Sequence, residues 1–534
     1  MEAVRRTQVG DGTLSRVDVM SWATAGLLLV GALLRAYGYV FHVIPVWEDE
    51  AAWAMRLIEL PLSEHVIRPL GFMALSKLLA TALGPSEAVL RAMPWLAGMA
   101  SLAMAPLLAK RLFSSPAAQL IFVGCIALHP GAIDLAKEFK PYSVGLAYHM
   151  GLLLLTLRYL DTKNARELAA LLSLLFLGTL FSQDLLFTYP AYFGLLLLDA
   201  FRARRMRRLL AIGLAAAATL TLLVTLYVFA WSKAVGHGEK TADYWGKKYD
   251  VFYVPNAEPG TSRLGWTNAR LGDMAAMPGM RRELWDTAKL PDAALTELKA
   301  ADVDVWRVLV VLGIGVLLYR QRRREALLLL APLACMVAFN GLGAWPLGAF
   351  RTNLFVLLYT AGLAAGAFER RSQEFGARDF VPVGALVLAP FLMLAPSLHA
   401  NKPSSMAGDS SFREAMQTLL TLQQGDGDEA SRPMLVLDNA SCAPWRYYTK
   451  FHPRRRRAVA ISRHFVVECT KSLKGMVHAL RHGLDHRKAR AFVLLSRAHP
   501  MADVQEHLPR DLVIDSQVYV GGRNQLVVRI KKRR

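Results

Sequence analysis

The chain has 534 residues, 54% of them hydrophobic, and 63 Lys and Arg against 42 Asp and Glu give a formal net charge of +21. Mean hydropathy is +0.28, and apolar runs of membrane-spanning length recur along the sequence, which excludes a soluble globular enzyme and indicates a polytopic membrane protein. Much of the positive excess falls in short loops between apolar segments, where it suits a cytoplasmic face against anionic lipid, so no nucleic-acid partner is expected.

Candidate spans in chain order are 20–41, 90–110, 117–135, 141–159, 167–182, 184–201, 208–231, 305–319, 325–342, 352–368 and 380–396, or about eleven transmembrane helices. The first run lacks a small-residue cleavage pattern and is read as a retained span, not a signal peptide. Basic clusters at Lys110/Arg111, Arg158/Lys163/Arg166, Arg202 through Arg208, Arg320 through Arg324 and Arg370/Arg371/Arg378 all fall on the side of Arg5, Arg6 and Arg16. That is the pattern of a cytoplasmic face. The apolar stretch Pro69 to Leu83 would break this alternation if it crossed. Being short for a span and carrying Lys77, it is expected to lie in plane on the outer surface.

The expected organisation is a cytoplasmic N-terminus at 1–19, a transmembrane domain at 20–397 with outer loops 42–89 and 232–304, and an extracytoplasmic domain at 398–534. The long loop carries Trp231, Trp245, Tyr249, Tyr253 and Trp266, which suit an interfacial aromatic belt, with direct substrate contact as the alternative. In the last part, strand-like runs Pro433 to Asp438, Arg490 to Ser496 and Gln525 to Ile530 alternate with helical candidates Phe412–Gln423 and Leu473–His482. This predicts a small α/β or α+β domain.

Cys125 and Cys335 fall in apolar segments as small core residues. Cys442 and Cys469 either pair, if their region faces an oxidising compartment, or remain free thiols. His42, His65, His129 and His149 have no neighbours at metal-ligand spacing, so no metal site is expected. Arg454 to Arg457 is first a solvated basic patch, with lipid or polyanion contact as the alternative.

Three signals carry chemistry. Glu48, Asp49 and Glu50 follow the first span directly. Ionisable groups near bilayer depth cost about 2.5–3.5 kcal/mol at a helix centre and are usually retained where they line a cavity or bind charge. The plainer alternative is that the acids favour the N-terminus of the next helix. Glu138 and Lys140 stand at a second outer boundary, where Pro141 suits the first turn of the following helix. Arg351 stands at the outer end of a late span and, taken alone, would be a snorkelling residue. Arg68 and Lys77 have their simplest role as headgroup anchors of the surface helix, with donor contact as the alternative.

Arg35-Ala-Tyr-Gly38, Trp47-Glu-Asp-Glu-Ala51, Lys137-Glu-Phe-Lys-Pro-Tyr142 and Pro346-Leu-Gly-Ala-Phe-Arg351, in that order and spacing, resemble the GT-C superfamily of integral-membrane glycosyltransferases. The nearest branch in this likeness is that of protein mannosyltransferases and lipid A aminoarabinose transferase. The resemblance covers approximately residues 20 to 400. It implies transfer of a sugar from a polyprenyl-phosphate-sugar donor to a glycan, lipid or protein acceptor, at the outer side of the inner (plasma) membrane. It implies Asp49 as general base, Glu50 positioning the base or acceptor, and Glu138 binding acceptor or orienting the site. Lys140, Arg351 and Tyr142 would meet the donor phosphate, although Lys140 stands where relatives often carry arginine. Some relatives use a divalent cation, and the sequence leaves that open. A transporter or lipid-carrier flippase is the rival class, and an inactive scaffold of the same fold is another. Against a transporter, no internal repeat is found and the acids cluster at one face instead of the midplane.

Overall fold

The structure, a computed structural model, describes residues 16–41, 43, 45–64, 68–228, 246, 250–254, 262–278, 292–370, 384, 386, 412–424, 433–470, 473–487, 491–496, 505–506, 508–520 and 525–532. Apart from residues 384 and 386, the expected span 380–396 lies outside them, as do Trp231, Trp245 and Tyr249. Helices occur at each of the other expected spans. They are α1 (Arg16–Ala36), α4 (Glu87–Leu112), α5 (Pro116–Leu128) with α6 (Pro130–Asp134), α7 (Tyr142–Thr162), α8 (Ala165–Gly178), α9 (Leu185–Arg202), α10 (Met206–Leu226), α12 (Asp292–Tyr319), α13 (Arg323–Gly341) and α14 (Val356–Gly366). A helix satisfies its backbone polar groups within one segment, which is why apolar runs of this length adopt it. Among the described residues four helices are by length and composition long and apolar enough to cross a membrane: α4, α7, α10 and α13. A fifth arises if the pair Pro116–Leu128 and Pro130–Lys137, bent by 48°, is one span.

Three expectations need adjustment. The span 117–135 is not straight, because Pro130 has no N–H for the helical ladder and ends α5 at Leu128. The span at 305–319 is only the apolar end of a 28-residue helix that begins at Asp292, inside the expected outer loop. That same loop also holds α11 (Arg263–Ala275), capped by the Ser262 side chain accepting from Gly265 N. Polar and charged residues scattered through α11 and the first half of α12 interrupt the apolar periodicity on which the sequence reading rests.

The basic loops meet at one end of the helical bundle. Asp161 accepts from Arg111 at 2.8 Å and from Arg324 at 2.6 Å. Lys163 donates to Asp199, and Arg208 to the Lys163 carbonyl. Arg322 donates to the Leu112 carbonyl and pairs with Glu369. Exposed pairs like Arg111–Asp161 are each worth only about 0–1 kcal/mol, so they mark this end more than they hold it together.

Close helix packing holds the late helices. A Cβ built on Gly313 in α12 would sit 1.7 Å from the Leu363 carbonyl oxygen of α14, whereas one on Gly315 would meet nothing within 4 Å. Small residues of this kind let helix backbones approach in a membrane.

The C-terminal part forms a mixed five-stranded sheet in the order β2-β1-β3-β5-β4. β1 (Met434–Leu437) pairs in parallel with β2 (Val466–Cys469) and β3 (Ala491–Ser496). β5 (Gln525–Lys532) runs antiparallel to β3 and to β4 (Leu512–Val520), with a register shift between Ile514 and Ser516. The helical candidates are observed as α15 (Phe412–Gln424) and α18 (Leu473–Arg487). Four elements have no counterpart among the sequence candidates: β2, β4, α16 (Asn439–Arg446), capped by Asp438, and α17 (Arg456–Ser462). Cys442 and Cys469 are disulfide-bonded. The inner sheet face shares one hydrophobic core with two early helices, α2 (Glu48–Glu59) and α3 (Leu70–Leu83). Met55, Phe72 and Phe139 pack there with Phe412, Trp445, Phe492 and Val527.

Gly313→Leu is expected to lower the thermal midpoint of the purified protein by several degrees, since overpacking costs about 1–3 kcal/mol. Gly315→Leu should leave it near wild type, as read by thiol-reactive or intrinsic fluorescence on heating.

Candidate functional site: a buried charge cluster at one end of the bundle

The acidic triplet forms the first turn of α2, where the helix dipole favours it. Adjacent positions on a helix are rotated by about 100°, so neighbouring carboxylates face different surroundings. Glu50 points inward with Ala51, Ala54 and Leu57 and is fully buried. Its Oε1 accepts from Arg91 Nε at 2.8 Å and from Phe139 N at 2.6 Å. Its Oε2 accepts from Arg91, whose guanidinium also donates to the Pro45 carbonyl at 3.1 Å. Glu50 therefore ties α2 to α4 and to the turn before α7.

Asp49 faces outward from this anchor. Lys140 Nζ donates to Asp49 Oδ2 at 2.6 Å, and Arg351 lies 3.5 Å from the same oxygen. The Asp49 side chain is 36% exposed and that of Arg351 17%, while Lys140 keeps 1%. Solvent thus reaches the cluster from the Asp49 and Arg351 side, with Lys140 behind. The Lys140 ammonium lies 3.9 Å from the Trp53 ring centre and the Arg68 guanidinium 4.5 Å from it. Arg351 lies over Trp47 at 5.4 Å. Aromatic faces offset part of the cost of holding desolvated cations together.

Glu138 lies in the turn between the bent pair and α7, buried and within electrostatic reach of Arg351 and Lys140. Burial raises its carboxyl to about 7, against the pull of Arg351. Burial also lowers the Lys140 ammonium to about 8, opposed by Asp49 and Glu138. Among the described residues, Glu138 Oε1, Trp47 Nε1 and Arg68 Nε are buried polar atoms with no hydrogen-bond partner. Buried polar atoms are nearly always paired, so three orphans on residues of one cluster leave hydrogen-bonding capacity unmet beside Asp49.

The structure thus brings Asp49, Glu50, Glu138, Lys140 and Arg351 together from segments far apart in sequence. Tyr142, at the first position of α7, has its ring against the helical core. Lys77 donates to the Leu60 carbonyl at the end of α2, so it locks α3 to α2. Arg35 is also structural: wholly buried, it donates to the Gly31, Ile126 and Ala127 carbonyls and ties α1 to the end of α5. Sequence reading missed Arg91 and Trp53. Arg91 had a signal, a lone charge just inside an apolar span, which is costly unless paired; Trp53 had none beyond its helix. Among the described residues no group of three or more His, Cys, Asp or Glu is placed to hold a metal ion.

No family model and no curated protein sequence matches the chain. Among solved structures it is similar to ArnT from Cupriavidus metallidurans in the apo state, at 11% identity and a TM-score of 0.47, covering 96% of this chain and 98% of that one. It is also similar to ArnT from the same organism bound to undecaprenyl phosphate, at 13% identity and a TM-score of 0.45, covering 96% and 97%. At these values the likeness assigns no role to any residue.

Two outcomes are expected. Arg91→Met leaves Glu50 charged and buried, which costs about 3–5 kcal/mol, and should sharply lower the thermal midpoint. Glu138 has a folded-state pKa above its unfolded value of 4.5. The unfolded chain therefore releases this proton first, and stability falls as pH rises from about 4.5 to about 7, then levels off. Glu138→Gln should flatten that part of the midpoint-versus-pH curve.

Proposed function

We propose that the chain is an integral-membrane glycosyltransferase that moves a sugar from a polyprenyl-phosphate carrier to an acceptor at the outer side of the inner membrane. The single observation that carries this reading is the sharing of Asp49 by two cations, Lys140 and Arg351, beside orphaned polar atoms at one end of an apolar bundle. The motif resemblance supports the same reaction class. The gathering of the basic loops at the opposite end supports an outward-facing site, because short basic loops stay cytoplasmic.

In this mechanism the donor phosphate takes the cations from Asp49. Arg351 offers a fork of donors to phosphate and Lys140 a point charge. Asp49, released, accepts the proton of the acceptor hydroxyl as general base. The acceptor oxygen then bonds to the anomeric carbon while the bond from that carbon to the phosphate oxygen breaks. Negative charge grows on the leaving phosphate, where Lys140 and Arg351 stabilise it. Glu138, protonated for part of the time near neutral pH, offers a hydrogen bond to a sugar or acceptor hydroxyl. Glu50 holds the base in place and does not react. A single displacement inverts the anomeric configuration, and a product with retained configuration contradicts it. The reaction is proposed to be independent of metal; loss of activity on chelation, restored by one metal, overturns that part.

The test uses purified protein with a panel of radiolabelled polyprenyl-phosphate sugars and isolated cell-envelope fractions. Wild type should move label out of the lipid-extractable carrier, and Asp49→Asn should slow transfer by about 10²–10⁴-fold, the range of a lost general base. Arg351→Ala should weaken binding of undecaprenyl phosphate about tenfold or more, as expected for a lost charge-assisted hydrogen bond. Full transfer by Asp49→Asn sinks the assignment.

A further inference from the structure

The segment that carries Asp49 is held from outside the helical bundle as well as from within. Tyr448 belongs to a short π-helical turn, Tyr447–Phe451, that directly follows α16 in the C-terminal part. Its hydroxyl oxygen accepts from Val46 N at 2.8 Å, three residues before Asp49, and donates to Glu87 Oε1 at 3.0 Å. Glu87 opens α4, and its other oxygen lies 2.7 Å from His452 Nε2. The flanking backbone is fixed as well: Arg91 donates to the Pro45 carbonyl, and Trp47 N lies 3.4 Å from Glu50 Oε2. Val46 is fully buried, and its amide donates to this tyrosine hydroxyl. The disulfide between Cys442 of α16 and Cys469 of β2 fixes the helix that leads into this turn. The Tyr448 ring stacks on Phe412 at 5.9 Å.

We infer that Tyr448 is a positioning residue for the Asp49 site, a strut through which the C-terminal sheet unit fixes where the base stands. This rests on the transferase reading of Asp49. The strut acts through the backbone and touches neither donor nor acceptor. Its loss therefore lowers turnover and leaves carrier affinity alone. The hydroxyl is also the only part of the side chain that the inference needs, because ring packing survives its removal.

Tyr448→Phe removes the hydroxyl from the full-length protein. Hydrogen exchange at the Val46 amide is expected to speed up about tenfold or more, while the β1 amides of Met434–Leu437 keep their protection. With any labelled polyprenyl-phosphate sugar that wild type uses, kcat should fall about tenfold, and undecaprenyl phosphate affinity should stay within about twofold. Tyr447→Phe is the control from the same turn: its hydroxyl donates to the Pro85 carbonyl at 2.6 Å instead. It should leave Val46 exchange and kcat near wild type. Unchanged Val46 exchange in Tyr448→Phe overturns the inference. So does faster exchange with wild-type kcat, or an equal kcat loss in Tyr447→Phe. Asp49→Asn run alongside separates two failures. An active Asp49→Asn sinks the base itself, whereas an inactive one beside a fully active Tyr448→Phe sinks the strut alone.

Discussion

The buried carboxylate of Glu50 is the constraint on which the site depends. Moving such a charge out of water costs several kcal/mol, and here the cost is offset by Arg91 and by the Phe139 amide. Both partners come from distant parts of the chain, so the one carboxylate decides how α2, α4 and the Glu138–Lys140 turn sit together. Asp49 inherits its position from that arrangement. One step along the helix changes a wholly buried structural acid into a partly exposed one shared by two cations. Environment, not residue type, separates their roles.

The same constraint explains why the C-terminal part is more than an appendage. Its hydrophobic core runs without a break into α2, α3 and Phe139. Tyr447 and Tyr448 add hydrogen bonds to Pro85, Glu87 and Val46 at the start of α4 and beside the acidic triplet. The charged cluster is therefore gripped from the bundle on one side and from the sheet on the other. A site built from rigid neighbours can keep cations and carboxylates within a few ångströms without collapse, as preorganised charge requires.

Much of this was legible in the sequence because the determinants are local. Apolar runs marked the helices, and alternating short basic loops foreshadowed the end at which Asp161, Lys163 and Arg322 now meet. The acids and cations were found because charge at a membrane boundary is conspicuous. What stayed hidden depends on contacts across the chain. Nothing near Arg91 says that its partner is Glu50, and nothing near Tyr448 points to Val46. The disulfide was one of two open readings for Cys442 and Cys469, since spacing alone does not fix distance. The helix Asp292–Tyr319 was cut short because its polar beginning lacks the apolar signal. A transporter would hold such charges near the middle of the bundle, whereas Asp49, Lys140 and Arg351 gather at one end of it.

The proposed reaction turns on Lys140 and Arg351 exchanging Asp49 for a lipid-borne phosphate. Its most direct measurement is an electron-microscopy structure of the full chain with undecaprenyl phosphate. The expected result has phosphate oxygens about 2.7–2.9 Å from Lys140 Nζ and from the Arg351 guanidinium, with Asp49 moved off Lys140 and Glu50 still on Arg91. A phosphate seated elsewhere, such as the basic turn at Arg454–Arg456, with Lys140 still bound to Asp49, would contradict it.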